Sequence, residues 1–167
     1  MSTTRARGVL FVHSSPRAVC PHVEWAIGRA LGYPVNCRWE EQPVLPGAVR
    51  AEMEWMGPVG SGAAIASALR GWEHLRYEVT EDATPGSDGG RWMHTPDLGV
   101  FFAQTDASGN IVVPEDRIHY ALEVAEGNAA EIARELRVAL GAAWDDELEV
   151  FRHAGDNRSV VWLHRVG

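Results

Sequence analysis

Hydrophobic and polar positions change their period several times along the first half of the chain. Residues 9–12 form a short apolar run, which is typical of a central strand buried on both faces. Apolar positions at helical spacing over 19–31 predict a helix that ends at Gly32. Alternation over 35–40 and 49–55 predicts two strands joined by a hairpin. Residues 61–72 and 75–80 predict a second helix and a fourth strand.

These elements follow one another as β-α-β-β-α-β, the order of a split β-α-β, ferredoxin-like unit. We assign residues 8–81 of an α+β protein to this unit. Residues 82–90 are rich in Gly, Pro, Ser and Asp and predict a linker. Residues 91–167 predict an extension made of a β-hairpin around 106–110, helices beginning near Pro114 and Asn128, a third helix capped by Asp145, and a last strand over 159–166.

The length of 167 residues predicts a single domain, residues 1–167, with one shared core. Because the first strand is apolar on both faces, we expect the C-terminal half to cover the face of the sheet that its own two helices leave open. The charged residues of the other strands alternate with apolar ones and predict an exposed flank with cross-strand ion pairs. These residues are Arg38, Glu40, Arg50, Glu52, Glu54, Arg76 and Glu78.

Composition excludes several classes of function. All 15 basic residues are Arg, so the chain has no lysine for a Schiff base, a Walker-type phosphate site or a general base. The 23 acidic residues give a net charge of -8, which argues against nucleic acid as a partner. The apolar run at 9–12 is too short for a signal peptide or a membrane span, so no membrane partner and a cytoplasmic location are predicted. Cys20 and Cys37 lack a CxxC spacing, which argues against a disulfide framework or structural zinc.

Two segments rich in Gly and Ser are the main candidate for ligand binding. Residues 13–16 follow the first strand and residues 57–62 follow the third, and we expect these strands to be parallel neighbours, so that both turns share one sheet edge. Each turn begins a helix, whose N-terminal N–H groups favour an anion. The alternative is that the serines cap helices and the glycines form a tight turn. The predicted phosphate or carboxylate pocket contains Ser14, Ser15, Gly57, Gly60, Ser61 and Gly62.

A second candidate site surrounds Cys20. A thiol near a helix start, with His13 or His22 as base and Glu24 or Ser14 as orienting group, has the composition of a low-pKa nucleophile. The alternative is that Cys20 is a core residue, since valines flank it. The same histidine, cysteine and glutamate types also bind zinc, but positions 20, 22 and 24 do not share one helical face. No metal site and no cofactor are therefore predicted.

Five runs along the chain carry a family resemblance, namely VHSSPRAVCPHVEWA at 12–26, WMGPVGSGA at 55–63, EVTED at 78–82, RW with HTP within 91–96, and WD at 144–145. These runs resemble an uncharacterised actinobacterial domain-of-unknown-function family. The resemblance spans most of the chain. It implies no established activity, cofactor or catalytic residue.

The function favoured by these observations is a cytoplasmic, non-catalytic binding or regulatory module for a small anionic metabolite or a partner protein. The competing class is an enzyme, a thiol- or histidine-dependent transferase or hydrolase centred on Cys20. A structural homo-oligomer that associates through a sheet edge or a tryptophan-rich surface is the third hypothesis.

Overall fold

The computed structural model describes residues 4–154, which form five α-helices and one seven-stranded sheet. The strands are β1 (Arg5–Pro16), β2 (Glu40–Glu41), β3 (Ala48–Pro58), β4 (Arg76–Glu81), β5 (Gly89–Thr95), β6 (Gly99–Thr105) and β7 (Ile111–Val112). The helices are α1 (Cys20–Leu31), α2 (Ser61–Ala68), α3 (Glu115–Ala125), α4 (Ala129–Ala139) and α5 (Ala142–His153). The strand order is β2-β3-β1-β4-β5-β6-β7, with antiparallel neighbours throughout. This content of helices and strands confirms the α+β fold class.

The main core lies between α1, α2 and one face of the sheet. Ile27 of α1 and Ile65 of α2 are completely buried against strand residues such as Leu10. Burial of each such side chain stabilises the fold by about 1.5–3 kcal/mol. Gly8 allows the Trp55 ring to lie across β1, because a Cβ at residue 8 would be 2.7 Å from that ring and closer still to the backbone of β4. The apolar periodicity over 19–31 and 61–72 therefore correctly predicted two helices that pack on the sheet, although α2 ends at Ala68.

The predicted strand over 35–40 is wrong except at its last residue. Glu40 and Glu41 alone pair with β3, although burial alternates over 35–40 as expected for an extended chain. The reason lies in α1, where Glu24 Oε1 accepts hydrogen bonds from Cys37 N at 2.8 Å and from Trp39 Nε1 at 2.9 Å. A helix side chain thus takes the backbone donor that a neighbouring strand would otherwise bind.

Helix α5 covers part of the opposite face of the sheet. Leu148 and Phe151 are buried there, and α5 contacts both β1 and β5. Trp144 Nε1 donates to Gly99 O at 2.9 Å, and its ring packs on Phe101 with 5.1 Å between centroids. This arrangement confirms that the C-terminal half covers the second face of β1 in part, where Val9 and Phe11 are half-buried. Helix α4 packs on α5, and α3 packs on α4.

Several details of the C-terminal half differ from the prediction. Residues 82–88 connect β4 to β5, and these strands pair directly in one continuous sheet. Asp145 does not cap α5, because Gly141 is the N-cap residue, with a φ of 75°. The predicted hairpin around 106–110 is confirmed by β6 and β7, whereas the predicted strand over 159–166 lies outside the described residues.

None of the helices in the described part of the chain combines the length and the apolar character that crossing a bilayer requires.

Candidate functional site

The two segments predicted to form one anion pocket lie at opposite ends of the sheet. Strands β1 and β3 are antiparallel neighbours, with Arg5 opposite Pro58 and Ser15 opposite Val49. The prediction that they are parallel is wrong for a simple reason of chain direction. Helix α1 returns the chain so that β2 runs parallel to β1, and β3 then reverses in the hairpin with β2. The carboxyl ends of β1 and β3 therefore point in opposite directions.

The N-terminus of α2 already holds an anion, which is the carboxylate of Glu81. Glu81 Oε2 accepts from Gly60 N at 3.0 Å, and Oε1 accepts from Gly62 N at 2.7 Å. Gly60 has a φ of 96°, the left-handed conformation that glycine adopts without strain. The tendency of a helix N-terminus to bind an anion was thus correctly recognised. The anion, however, belongs to β4 of the same chain.

The remaining residues of the predicted pocket serve packing and local hydrogen bonds. Ser61 Oγ donates to Pro58 O at 2.6 Å, and a Cβ on Gly57 would be 2.5 Å from that hydroxyl. A Cβ on Gly62 would be 2.7 Å from the Trp92 ring.

The segment 13–16 belongs to β1 and is not a turn. The pairing register shifts between residues 12 and 15, and Ser14 and Ser15 are completely buried. Ser14 Oγ accepts from Arg76 Nη1 at 3.3 Å, and Ser15 Oγ donates to Pro16 O at 3.1 Å. These two serines are therefore structural residues of a strand.

The structure does not assemble a nucleophile around Cys20. The thiol is buried, and its hydrogen-bond neighbours are Ser15 Oγ at 3.9 Å and Pro16 O at 3.7 Å. Burial raises the pKa of Cys20 above its usual value, the reverse of what an activated thiol requires. His22 stacks on the Trp72 ring, and His13 is bound on the α5 face of the sheet. Neither histidine forms a hydrogen bond with the thiol.

The residues considered as metal ligands are also separated. Glu24 is engaged by the chain at 37–39, while His13 and His22 lie on different sides of the sheet. Within residues 4–154, no group of three or more His, Cys, Asp or Glu side chains has a geometry that could hold a metal ion.

The structure instead places a cluster of buried charges between the sheet and α5. Its centre is Glu78, whose side chain is 3% exposed. Glu78 Oε2 binds His13 Nε2 at 2.6 Å and Arg152 Nε at 2.9 Å. Glu78 Oε1 accepts from Arg91 Nη2 at 3.0 Å and from a second nitrogen of Arg152. Asp145 of α5 completes the cluster, with Oδ1 2.8 Å from Arg152 Nη2.

The cations of this cluster keep Glu78 ionised. Burial would raise the pKa of this carboxyl, but hydrogen bonds and charge from His13 and Arg152 outweigh burial and hold the pKa well below its usual value. Burial similarly opposes the charge on Arg152, yet Glu78 and Asp145 raise the pKa of that guanidinium. Glu78 and Arg152 are therefore both charged at neutral pH.

A groove of about 1500 Å³ opens beside this cluster on the same face of the sheet. Its floor includes Thr80 of β4 and the paired Arg91 of β5, together with Gly90 and Thr105. Helix α5 forms one wall, the first residues of β1 form another, and the loops 82–85 and 106–110 close the far side. Arg91 lines the groove and also binds Glu78, so it links the groove to the buried cluster.

A family model described as "Protein of unknown function (DUF3145)" matches residues 9–165. The chain belongs to this family. No curated protein and no solved structure matches the chain. The expected membership of a family of unknown function is thus confirmed, and an actinobacterial origin stays a prediction. In this DUF3145 chain, the buried cluster lies inside the matched region and Arg5 of the groove lies just before it.

Sequence reasoning missed the central residue of this DUF3145 site. Glu78 was assigned to an exposed ladder of charges because it alternates with apolar residues along β4. That alternation was read correctly, but the face away from α1 and α2 is covered by α5. Whether such a position is exposed depends on where the covering helix packs, and the alternation along β4 does not show that place.

Proposed function

We propose that this protein is a non-catalytic binding module whose groove on the α5 face of the sheet holds a small anionic metabolite. A cytoplasmic regulatory protein would use such a site to respond to the concentration of its ligand. The anion expected at the Gly- and Ser-rich segments is assigned to the groove instead, because Glu81 occupies the N-terminus of α2.

One observation carries this proposal, namely the balance of engaged and free charge in the groove. Each carboxylate of the lining has a partner within the described chain. These pairs and clusters are Glu78 with His13 and two arginines, Glu81 with α2, Asp82 with Arg7, Asp106 with its own loop, Asp145 with Arg152, and Glu149 with His153. Arg5, in contrast, makes no side-chain hydrogen bond or ion pair with another described residue.

Arg91 adds further binding capacity. Its contacts to Glu78 and Asp145 are both made through Nη2, at 3.0 and 3.7 Å, and its side chain is 21% exposed to the groove. The other guanidinium nitrogens remain for a ligand. An arginine fork matches a carboxylate or phosphate group in two-point geometry. Among the described residues that line the groove, Arg5 is therefore the charged side chain that no other side chain or backbone group binds, although the chain as a whole is acidic.

Thermal unfolding with separate additions of inorganic phosphate, citrate, ATP and acetyl-CoA tests this function. A ligand at about ten times its Kd stabilises the folded state by about 1.4 kcal/mol and raises the midpoint by about 4 °C. We expect at least one compound to raise the midpoint, and Arg5→Glu to reduce that rise. Arg38→Glu is the matched control, since Arg38 is 90% exposed and does not line the groove. No rise with any compound, or equal rises in both variants, would refute the proposal.

Self-association is a second candidate function, and exposed apolar side chains on α3 favour it. Ile118, Tyr120, Leu122 and Val124 are between 42% and 52% exposed, on a helix whose main contact is α4. Light scattering across a concentration series should then show a mass above that of the monomer, and Leu122→Glu should reduce it. A monomer mass at all concentrations would exclude this candidate.

The thiol-dependent enzyme has the least support. Its three proposed residues are separated, and the pKa of Cys20 is raised by burial.

A further inference from the structure

Two arginines of the buried cluster converge on a carboxylate at the surface of the groove. Asp145 Oδ1 lies 2.8 Å from Arg152 Nη2 and 3.7 Å from Arg91 Nη2. The Asp145 side chain is 40% exposed, whereas the side chains of Arg152 and Arg91 are 7% and 21% exposed. Glu78 thus holds both arginines from the buried side, and the Asp145 carboxylate that also faces them is exposed to the groove.

Glu78 and Asp145 differ in how tightly the fold holds them. Glu78 is enclosed by the sheet and α5 and accepts from three side chains. Asp145 lies in the first turn of α5 and can turn toward water without uncovering the core. A carboxylate in this position resembles the group that two arginines would bind in a ligand. When the Asp145 carboxylate moves away from Arg91 and Arg152, guanidinium donors face the groove.

We propose that Asp145 is an internal competitor for the anionic ligand of this groove. The ligand's carboxylate or phosphate displaces the Asp145 carboxylate from Arg91 and Arg152 and takes its position. This inference rests on the proposed function of the groove and adds a regulatory contact to it. Asp145 thereby sets a threshold, because only an anion that binds the two arginines better than the resident carboxylate occupies the site.

Electrostatics support displacement rather than joint occupancy. An added anion on Arg91 would approach Asp145 closely, and like charges at such distances repel strongly in a partly buried site. Besides Glu78 and Asp145, Glu149 also faces Arg152, at 3.4 Å from Nη1, and it is bound to His153 as well. Arg152 therefore keeps Glu149 as a partner when Asp145 moves away.

The chain offers a matched pair of variants, Asp145→Asn and Asp146→Asn. Both remove one negative charge from the first half of α5, but Asp146 is exposed and is absent from the cluster and the groove lining. Binding of inorganic phosphate and of citrate is measured by titration calorimetry at constant ionic strength. We expect Asp145→Asn to increase the affinity about fivefold, which is the effect of losing one partly exposed ion pair. Asp146→Asn should leave the affinity unchanged.

The results separate this inference from the function on which it rests. If Arg5→Glu weakens binding while Asp145→Asn and Asp146→Asn behave alike, the groove binds anions and Asp145 is not a competitor. Weaker binding in Asp145→Asn would likewise overturn the inference. If no variant binds either probe or any compound of the thermal series, the proposed function itself fails. Arg91→Gln, added to Asp145→Asn, should abolish the gain, and a larger gain for phosphate or for citrate identifies the preferred anionic group.

Discussion

Replacement of Glu78 by glutamine tests the buried cluster most directly. The side chain keeps its shape but loses the charge that neutralises Arg152 and Arg91. Glu78 accepts four hydrogen bonds, two from Arg152 and one each from Arg91 and His13. The glutamine oxygen can accept only part of this set, and its amide group turns a donor toward other donors.

The expected loss follows from this geometry. Removal of one partner from a buried ion pair costs about 3–5 kcal/mol, because the remaining charge stays buried. Arg152 retains Asp145 and Glu149, so we expect the lower end, about 3 kcal/mol. Urea unfolding at pH 7, followed by tryptophan fluorescence, should show a midpoint about 1.5 M lower if m is about 2 kcal/mol/M.

Glu54→Gln is the control for this measurement. Glu54 is exposed on β3 and lacks an ion pair with any described residue, so its replacement should change stability by less than about 0.5 kcal/mol. The combination of Glu78→Gln with Arg152→Met should cost less than the sum of the two single changes, by about 1–3 kcal/mol. A loss of less than about 1 kcal/mol for Glu78→Gln, or strict additivity, would refute the assignment of the cluster.

Three further results are expected. The folded protein lowers the pKa of Glu78, so the stabilisation from its ionised form is complete above the unfolded pKa of about 4.3 and declines as pH falls toward the folded value. Urea midpoints between pH 6 and pH 3 should therefore fall more steeply in the wild type than in Glu78→Gln. Equal slopes in the two proteins would contradict this expectation. Glu81→Gln should cost about 1–2 kcal/mol by weakening the cap of α2, with Asp82→Asn close to neutral in the same assay. Cys20, studied with Cys37→Ser, should react with iodoacetamide at pH 8 at least about tenfold more slowly than a free thiol peptide until urea exposes it; an equal rate in the native protein would show that the thiol is accessible.

The anion hypothesis shows where sequence reasoning about this protein was correct and where it stopped. The Gly60–Gly62 segment was correctly identified as a helix N-terminus that attracts negative charge. Glu81 directly follows the strand predicted over 75–80, but its pairing with that helix requires the packing of α2 on β4. A long-range contact of this kind, 19 and 21 residues apart along the chain, leaves no periodic trace.

The order and character of most elements could be read from local patterns, because strand and helix periods are local properties of the chain. The prediction of a strand over 35–40 failed for a specific reason. Buried and exposed residues alternate along any extended chain, whether its backbone binds a neighbouring strand or a side chain such as Glu24. The direction of β3 relative to β1 was also within reach of sequence reasoning. It required following the chain through the hairpin, and the parallel assignment was an error of topology.

The sequence by itself determined the α+β class, the two helices that pack on the first face of the sheet and the requirement that β1 be covered on both faces. Each of these follows from the spacing of apolar residues, which acts within one element. Only the tertiary structure decided that α5 buries Glu78, brings Arg152 and Asp145 to Arg91 and leaves a groove beside them. Four separate elements supply His13, Glu78, Arg91 and Arg152. Their charges become a site because packing excludes water from between them, and that exclusion depends on contacts between residues far apart in the chain.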